Sequence, residues 1–244
     1  RRVLFRSPYR SNSVYCALDS KDTVKKVSEI RTAVIGVGYL GKFHAQKYSK
    51  LKNSKLLAVV DKDFENAQKI ARENDCDALT DYHELLGKVD AVSIVVPTDL
   101  HFEVAADFLR HKSHVLVEKP ITTTIEEAEN LISLAEKNNR ILQVGHLERF
   151  NPAMLALEKE LSNVNFIESH RLAPYNPRGT EVNVVLDLMI HDIDIILEIV
   201  DSDVEKIDAS GTPVLSQDTD IANARIVFKN DCVANVTASR VSNK

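Results

Sequence analysis

The sequence has no tryptophan, only three cysteines, and fewer basic than acidic residues in a chain of 244. The missing tryptophan decides nothing; the other shortages each exclude something. Cys16, Cys76 and Cys232 form no C-x-x-C pair and leave an odd count. That fits reduced thiols in a cytoplasmic protein better than a disulfide framework or a zinc site. Lys and Arg number 31 against 36 Asp and Glu, a net charge of -5 with no basic stripe. This argues against non-specific nucleic-acid binding. No apolar run approaches membrane-spanning length. The apolar stretch Val3-Leu4-Phe5 is too short for a secretory signal, and no small-residue cleavage site follows. There is no initiating Met, no internal repeat and no low-complexity tract. Residues 1–29 are therefore expected to be an ill-ordered extension. What remains is ordinary for a globular protein, 44% hydrophobic and 27% charged. It is long enough for one large or two modest domains with a real core.

The organising stretch runs from Arg31 to Leu51. Residues 33–37 are a short apolar, β-branched run, suited to a strand buried on both faces. Gly36, Gly38 and Gly41 follow at G-x-G-x-x-G spacing, and Tyr39 and Leu40 lead into a helix over 40–51. Gly36 allows a tight turn, Gly38 lets backbone approach a pyrophosphate, and Gly41 lets the helix sit close on the sheet. A helix N-terminus offers free N–H groups and a positive dipole end to phosphates. A second apolar run, 56–60, ends in Asp61, where a carboxylate would accept hydrogen bonds from ribose hydroxyls. Asp61 could instead cap the helix expected over 63–74. Strand, loop, helix, strand and acid in this register indicate dinucleotide binding.

Further along, strands are expected at 77–79, 91–96, 114–117 and 141–144, with helices over 102–110 and 125–138 and a helical turn around 82–86. Strands alternating with helices mean βαβ units, hence a Rossmann-type doubly wound parallel sheet over 30–148. Ligands of such sheets sit beyond the C-terminal strand ends. Gly36 to Gly41, Asp61, Pro97, Thr98, His101, Glu118, Lys119 and His146 should then share one crevice. After His146 the texture changes. A helix over 152–161, a strand over 164–172, a long helix over 182–200 and runs at 204–210, 221–228 and 232–241 describe an α+β domain over 149–244 with a mostly antiparallel sheet. The last run ends the sequence without a closing segment, so Val233, Val236 and Ala238 are expected at an uncovered strand and the domain is expected to be incomplete.

Lys119 lies where a strand empties into the crevice. It could polarise a substrate oxygen, or be an ordinary exposed lysine. Its bond to Pro120 restricts it to an extended backbone. Asp187 and His191 are four apart on the long helix, with Asp194 three further. A carboxylate beside an imidazole can hold its tautomer for acid–base work, and His191 with Asp194 could equally be a structural pair. No third ligand stands out for a metal. Arg149, Asn151, Arg171, Tyr175 and Arg178 form a partly cationic set at the entry to the second domain, suited to phosphate or carboxylate, or simply solvated.

Taken together, Gly36-x-Gly38-x-x-Gly41-x-x-His44, Asp61, Pro97-Thr98-x-x-His101, Glu118-Lys119-Pro120 and Asp187-x-x-x-His191 resemble the glucose–fructose oxidoreductase / inositol dehydrogenase (Gfo/Idh/MocA) family. The runs 144–153 and 187–194, with Pro174-x-x-Pro177-Arg178, are most similar to its UDP-sugar oxidoreductases. The resemblance implies an NAD cofactor, Lys119 and His191 as the catalytic pair with Asp187 assisting, and a homo-oligomer built through the second-domain sheet. It implies oxidation of a sugar-ring hydroxyl to a ketone, the 3-hydroxyl of a UDP-N-acetylhexosamine being the expected one. A free polyol such as inositol, or a dinucleotide-binding sensor without turnover, are the alternatives.

Overall fold

The computed structural model describes residues 29–157, 160–161, 163–176 and 182–242. Of the extension expected over residues 1–29 only Glu29 is described; residues 1–28 with Cys16, and residues 177–181 with Arg178, lie outside the described residues.

The first sheet has six parallel strands in the order β3-β2-β1-β4-β5-β6. These are β1 (Ile30–Ile35), β2 (Ser54–Val60), β3 (Asp77–Leu79), β4 (Ala91–Ile94), β5 (His114–Val117) and β6 (Leu142–Val144). Helices α1 (Gly41–Tyr48), α2 (Phe64–Asn74), α3 (His101–Arg110) and α4 (Ile125–Asn138) alternate with them. Strict alternation explains the unbroken apolar strands. Ala33 and Ile35 of β1 face Phe108, Leu109 and Leu131 of α3 and α4, while Val34 between them faces Ala45, Ile70 and Ala71 of α1 and α2. A strand clothed on both faces has no polar side to show. The helix ends are specified locally. Asp63 Oδ1 accepts from the Glu65 and Asn66 N–H groups, and Thr124 with Glu127 closes a reciprocal capping box. Each such cap contributes about 1 kcal/mol.

The second half holds α5 (Pro152–Leu157), β7 (Phe166–Leu172), a wide π-helical turn (Val185–Met189), α6 (Ile190–Ile199), β8 (Val204–Thr212), β9 (Ile221–Phe228) and β10 (Val233–Ser239). Its strand order is β7-β10-β9-β8, antiparallel except that β7 runs parallel to β10. One face is covered by Val184, Met189 and Ile196, which bury Ala224, Ile226, Ala234 and Val236.

Two sequence expectations fail here. The run 232–241 is not an uncovered strand: β10 is paired on both sides, Val236 and Ala238 are fully buried, and Val233 is half-buried. The parallel return of β7 fills the expected gap, and alternation along one strand carries no information about strand order. The helix expected over 182–200 is likewise not a single α-helix. Asn183 Oδ1 accepts from the N–H groups of Val185 and Leu186 at 3.1 Å each, starting the turn at that point. Ile190 N–H then reaches back five residues to the Val185 carbonyl, widening the turn before α6 begins.

A buried ion pair ties the sheet to this turn. Asp220 Oδ1 accepts from Arg240 Nε at 2.8 Å, and Asp220 Oδ2 accepts from the backbone N–H groups of Val214, Leu215 and Ser216. Arg240 also donates to the Val182 carbonyl at 2.8 Å, just before the π turn. Burial pushes the Asp220 carboxyl up, but Ser216 and Arg240 outweigh it and hold the group well below the usual range.

Candidate active site

The glycine loop leaves β1 with Gly36 at φ 85°, and a Cβ there would stand 2.5 Å from the Val95 carbonyl oxygen. Gly41 is constrained even more tightly, by the loop's own Gly36 carbonyl. The close approach assigned in sequence to helix and sheet is thus first one within the loop. Gly38 differs from both. Among the described residues, none beyond its two chain neighbours comes within 4 Å of where its Cβ would be. That open space beside the loop, with no side chain capping the N-terminus of α1, is where a pyrophosphate fits. Tyr39 and Leu40, on the same turn, are exposed.

Asp61 ends β2 and holds the loop from the other side. Its Oδ2 accepts from Val37 N–H at 3.0 Å and from Asn66 Nδ2 at 3.1 Å, and its Oδ1 accepts from Asp63 N–H at 3.1 Å. Asn66 also donates to the Val37 carbonyl. Capping of α2 falls to Asp63, so the capping alternative for Asp61 is set aside. A carboxylate has about four acceptor sites, leaving room for a ribose hydroxyl.

Beyond β4, Pro97 is exposed and Thr98 half-buried. His101 is only 1% exposed, with Nδ1 2.9 Å from the Pro120 carbonyl and Nε2 2.9 Å from the Val96 carbonyl. It braces the turns after β4 and β5 against each other, with both ring nitrogens engaged within the fold. Glu118, at the end of β5, is also buried. Its Oε1 lies 3.2 Å from His44 Nε2 on α1, and its Oε2 accepts from Lys119 N–H. Gly145 leaves the space, since a Cβ there would come within 2.9 Å of the carboxylate. Glu118 therefore positions Lys119 relative to the glycine-loop helix.

The Lys119–Pro120 bond is cis. Lys119 Nζ donates to the Asp187 main-chain carbonyl at 2.7 Å and to Asp187 Oδ1 at 3.3 Å. The strand end of the first sheet and the π turn of the second half meet at this ammonium. The expected partnership of Asp187 with His191 is corrected by the same contact. Asp187 faces Lys119, while His191 Nδ1 is buried without a hydrogen-bond partner among the described residues. The widened turn removes the one-turn spacing that would align residues four apart, and the ammonium is the stronger donor. His191 is held below its ordinary pKa by burial first, then by the charges of Lys119 and Arg171. His146 is lowered too, burial outweighing the opposing pull of Asp194. Its Nδ1 stands 3.9 Å from Asp194 Oδ2, so Asp194 neighbours His146 rather than His191.

Arg149 and Arg171 are committed to carboxylates of α6. Arg149 makes a two-pronged contact with Asp194, both bonds at 2.6 Å, and a third bond to Glu198 at 2.6 Å. Arg171 Nε donates to Asp192 Oδ2 at 2.6 Å, and Ser169 Oγ to Asp192 Oδ1 at 2.9 Å. These pairs dock α6 on β7 and on the turn after β6. Asn151 caps α5 through the Ala153 N–H at 3.0 Å. Tyr175 is 40% exposed. Sequence reasoning missed the bridging role of Asn66 and the His44–Glu118 contact. Asn66 sits in the first turn of the helix after Asp61, a spacing that could have flagged it. No local signal links His44 to Glu118.

A glycine loop, an acid after the second strand, and a lysine and a histidine brought to the strand ends define a dinucleotide-dependent oxidoreductase. The chain belongs to the GFO_IDH_MocA oxidoreductase family: residues 30–146 match its NAD-binding Rossmann fold and residues 158–244 its C-terminal domain. NAD is the cofactor, and it supplies a hydride acceptor when bound. The chain is 41% identical over 213 residues to UDP-N-acetylglucosamine 3-dehydrogenase of Acidithiobacillus ferrooxidans, covering 87% of this chain and 67% of that one. A solved structure of that enzyme superposes with a TM-score of 0.82, covering 88% of this chain and 71% of that one. The scyllo-inositol 2-dehydrogenase (NAD(+)) of Bacillus subtilis is 28% identical over 233 residues, covering 88% and 68% of the two chains. The chain thus spans about two thirds of the length of these curated relatives. Among the described residues, no group of acidic, histidine or cysteine side chains is placed to hold a metal, and no helix is long and apolar enough to cross a membrane.

Proposed function

We propose that this chain oxidises the 3-hydroxyl of a UDP-N-acetylhexosamine to a ketone. A Rossmann domain over residues 30–148 would hold the cofactor, and a domain over 149–244 the substrate. The observation that carries the reading is Lys119 held against Asp187 with a neutral His191 nearby. His191, kept deprotonated at neutral pH, takes the hydroxyl proton. Lys119, oriented by the Asp187 carbonyl and carboxylate, steadies the oxyanion that forms as the proton leaves. Glu118 and His44 fix the backbone on which Lys119 rides. The 41% identity to a UDP-N-acetylglucosamine 3-dehydrogenase supports the substrate. In this reading the protein is cytoplasmic, and it assembles through the open face of the second sheet, where Phe166 and Leu172 are 57% and 54% exposed.

One observation favours a second reading. Arg149 and Arg171 are bound to Asp194, Glu198 and Asp192 and do not present open forks to a diphosphate. A free polyol needs none. Nicotinamide absorbance with NAD and either UDP-N-acetylglucosamine or myo-inositol separates the two. Turnover on the UDP-sugar alone is expected; turnover on the polyol alone sinks the first reading in favour of the second.

A further inference from the structure

The first sheet carries a second concavity, at the end opposite the glycine loop. A cleft of about 590 Å3 opens there, with Glu29, Arg31, Asp90, Lys112, His114 and Arg140 in its wall. Its main carboxylate is already answered. Asp90 accepts from Arg31 Nε at 3.0 Å, Arg31 Nη2 at 2.8 Å and Arg31 N–H at 2.8 Å. That grip holds the Asp90 carboxyl down at about 2. Glu29 is the other acid of the wall.

On the opposite wall some donors lack acceptors among the described residues. Ile141 N–H donates to His114 Nδ1 at 2.9 Å, so the lone pair is on Nδ1. A neutral imidazole then carries its proton on Nε2. Burial, and after it the charge of Arg140, keeps His114 below its ordinary pKa and therefore neutral. Yet Arg140 Nη1 lies 3.4 Å from that same Nε2. A guanidinium has donors only, so two N–H groups approach each other with no acceptor between them. Arg140 Nε is also buried without a hydrogen-bond partner among the described residues. Lys112 adds a second cation. It sits at φ 67°, a conformation few non-glycine residues adopt. Its ammonium donates to Asn138 Oδ1 at 2.7 Å and keeps further donors to spare.

We propose that this cleft binds a phosphate-class oxyanion, either inorganic phosphate or a phosphate monoester, between Arg140 and the His114 Nε2–H, with Lys112 alongside. An oxyanion supplies an acceptor to the facing N–H groups, and its charge balances two cations, Lys112 and Arg140, that make no ion pair among the described residues. The volume leaves room for the organic part of an ester. None of these residues belongs to the dinucleotide crevice, which lies at the other ends of the same strands, so the anion and NADH bind independently.

The test is a titration of the whole chain with inorganic phosphate and, separately, glycerol 3-phosphate at constant ionic strength, with sodium chloride as control. The His114 ring resonances in nitrogen-edited NMR are the readout. A saturable shift is expected, with half-saturation raised roughly 10-fold in Arg140→Gln as a charge-assisted bond is lost. A smaller rise is expected in Lys112→Asn, a residue that tolerates the left-handed backbone. NADH affinity should stay unchanged in both variants, which also reports that they are folded. Tighter binding of the ester than of phosphate would identify an ester ligand, and equal binding phosphate itself. A linear, non-saturating response, or the same curve in the parent and both variants, overturns the proposal.

Discussion

Lys119 and His191 have opposite electrostatic needs, and the site satisfies both through one charge. Asp187 steadies the ammonium of Lys119, and that ammonium in turn disfavours a proton on His191. Replacing either Lys119 or His191 with Ala should lower turnover by ~10²-fold or more while NADH affinity stays nearly intact, since neither change touches the glycine loop. Stopped-flow turnover alongside NADH titration checks this, and near-parental turnover in either variant removes that residue from the chemistry. A pH profile gives a finer test. As the proposed base His191 would act deprotonated, so activity should fall on the acid side through a value below 6.5, its ordinary pKa. In Lys119→Met the nearby cation is gone, so the residual activity should show that limb moved to higher pH.

At the scale of elements, the three glycines of the loop divide into two kinds. Gly36→Ala meets backbone at 2.5 Å and a positive φ, and Gly41→Ala meets the Gly36 carbonyl, so both should destabilise the fold. Gly38→Ala meets nothing. It should unfold at the parental temperature yet bind NADH at least ~10-fold more weakly, because the methyl group takes the space of the pyrophosphate. Calorimetry with and without NADH separates the cases. Equal NADH affinity in Gly38→Ala and the parent would falsify the assignment of that space.

Much at this scale was legible in the sequence. Strand residues such as Ala33 to Ile35 are apolar on both faces only because helices cover both. The spacing from Gly36 to Asp61 encodes a strand, a turn and a helix of fixed rise. What was not legible lies between elements. Nothing local tells Arg149 that Asp194 is its partner, or Asp187 that Lys119 outranks His191, because those choices follow from how the two sheets are set against α6. The π turn escaped for a related reason. Asn183 starts it through its own side chain, and the apolar spacing over 184–199 reads the same for either kind of turn.

For the molecule as a whole, three histidines link stability to pH. His114, His146 and His191 are all lowered from 6.5, burial being the first cause in each case. Below 6.5 the unfolded chain binds protons that the folded chain still refuses. Stability is therefore fully present above that pH and declines as pH falls toward the folded values. Urea midpoints should drop from pH 7.5 to 5.5, and the drop should shrink in a His146→Gln, His191→Gln double variant. An equally steep drop in that variant would move the effect to other groups. The buried Asp220–Arg240 pair gives the contrast. Arg240→Met leaves a fully buried carboxylate without its countercharge, so it should lower the melting temperature far more than Lys229→Met, whose pair with Asp203 is at the surface.

The place of β10 also sets a timetable. β10, an inner strand of the second sheet, is made after both of the strands it pairs with. On a ribosome, β7 emerges with no neighbour, and β8 and β9 can form only a hairpin until Val233–Ser239 follows, seconds later at ordinary elongation rates. The nucleotide-binding sheet suffers no such wait, since its strands are complete by Val144. Throughout that interval Met189 and Ile196 have no finished surface to cover. The nascent chain is most exposed to mispairing while half of it is already native, and that is when a chaperone would find it.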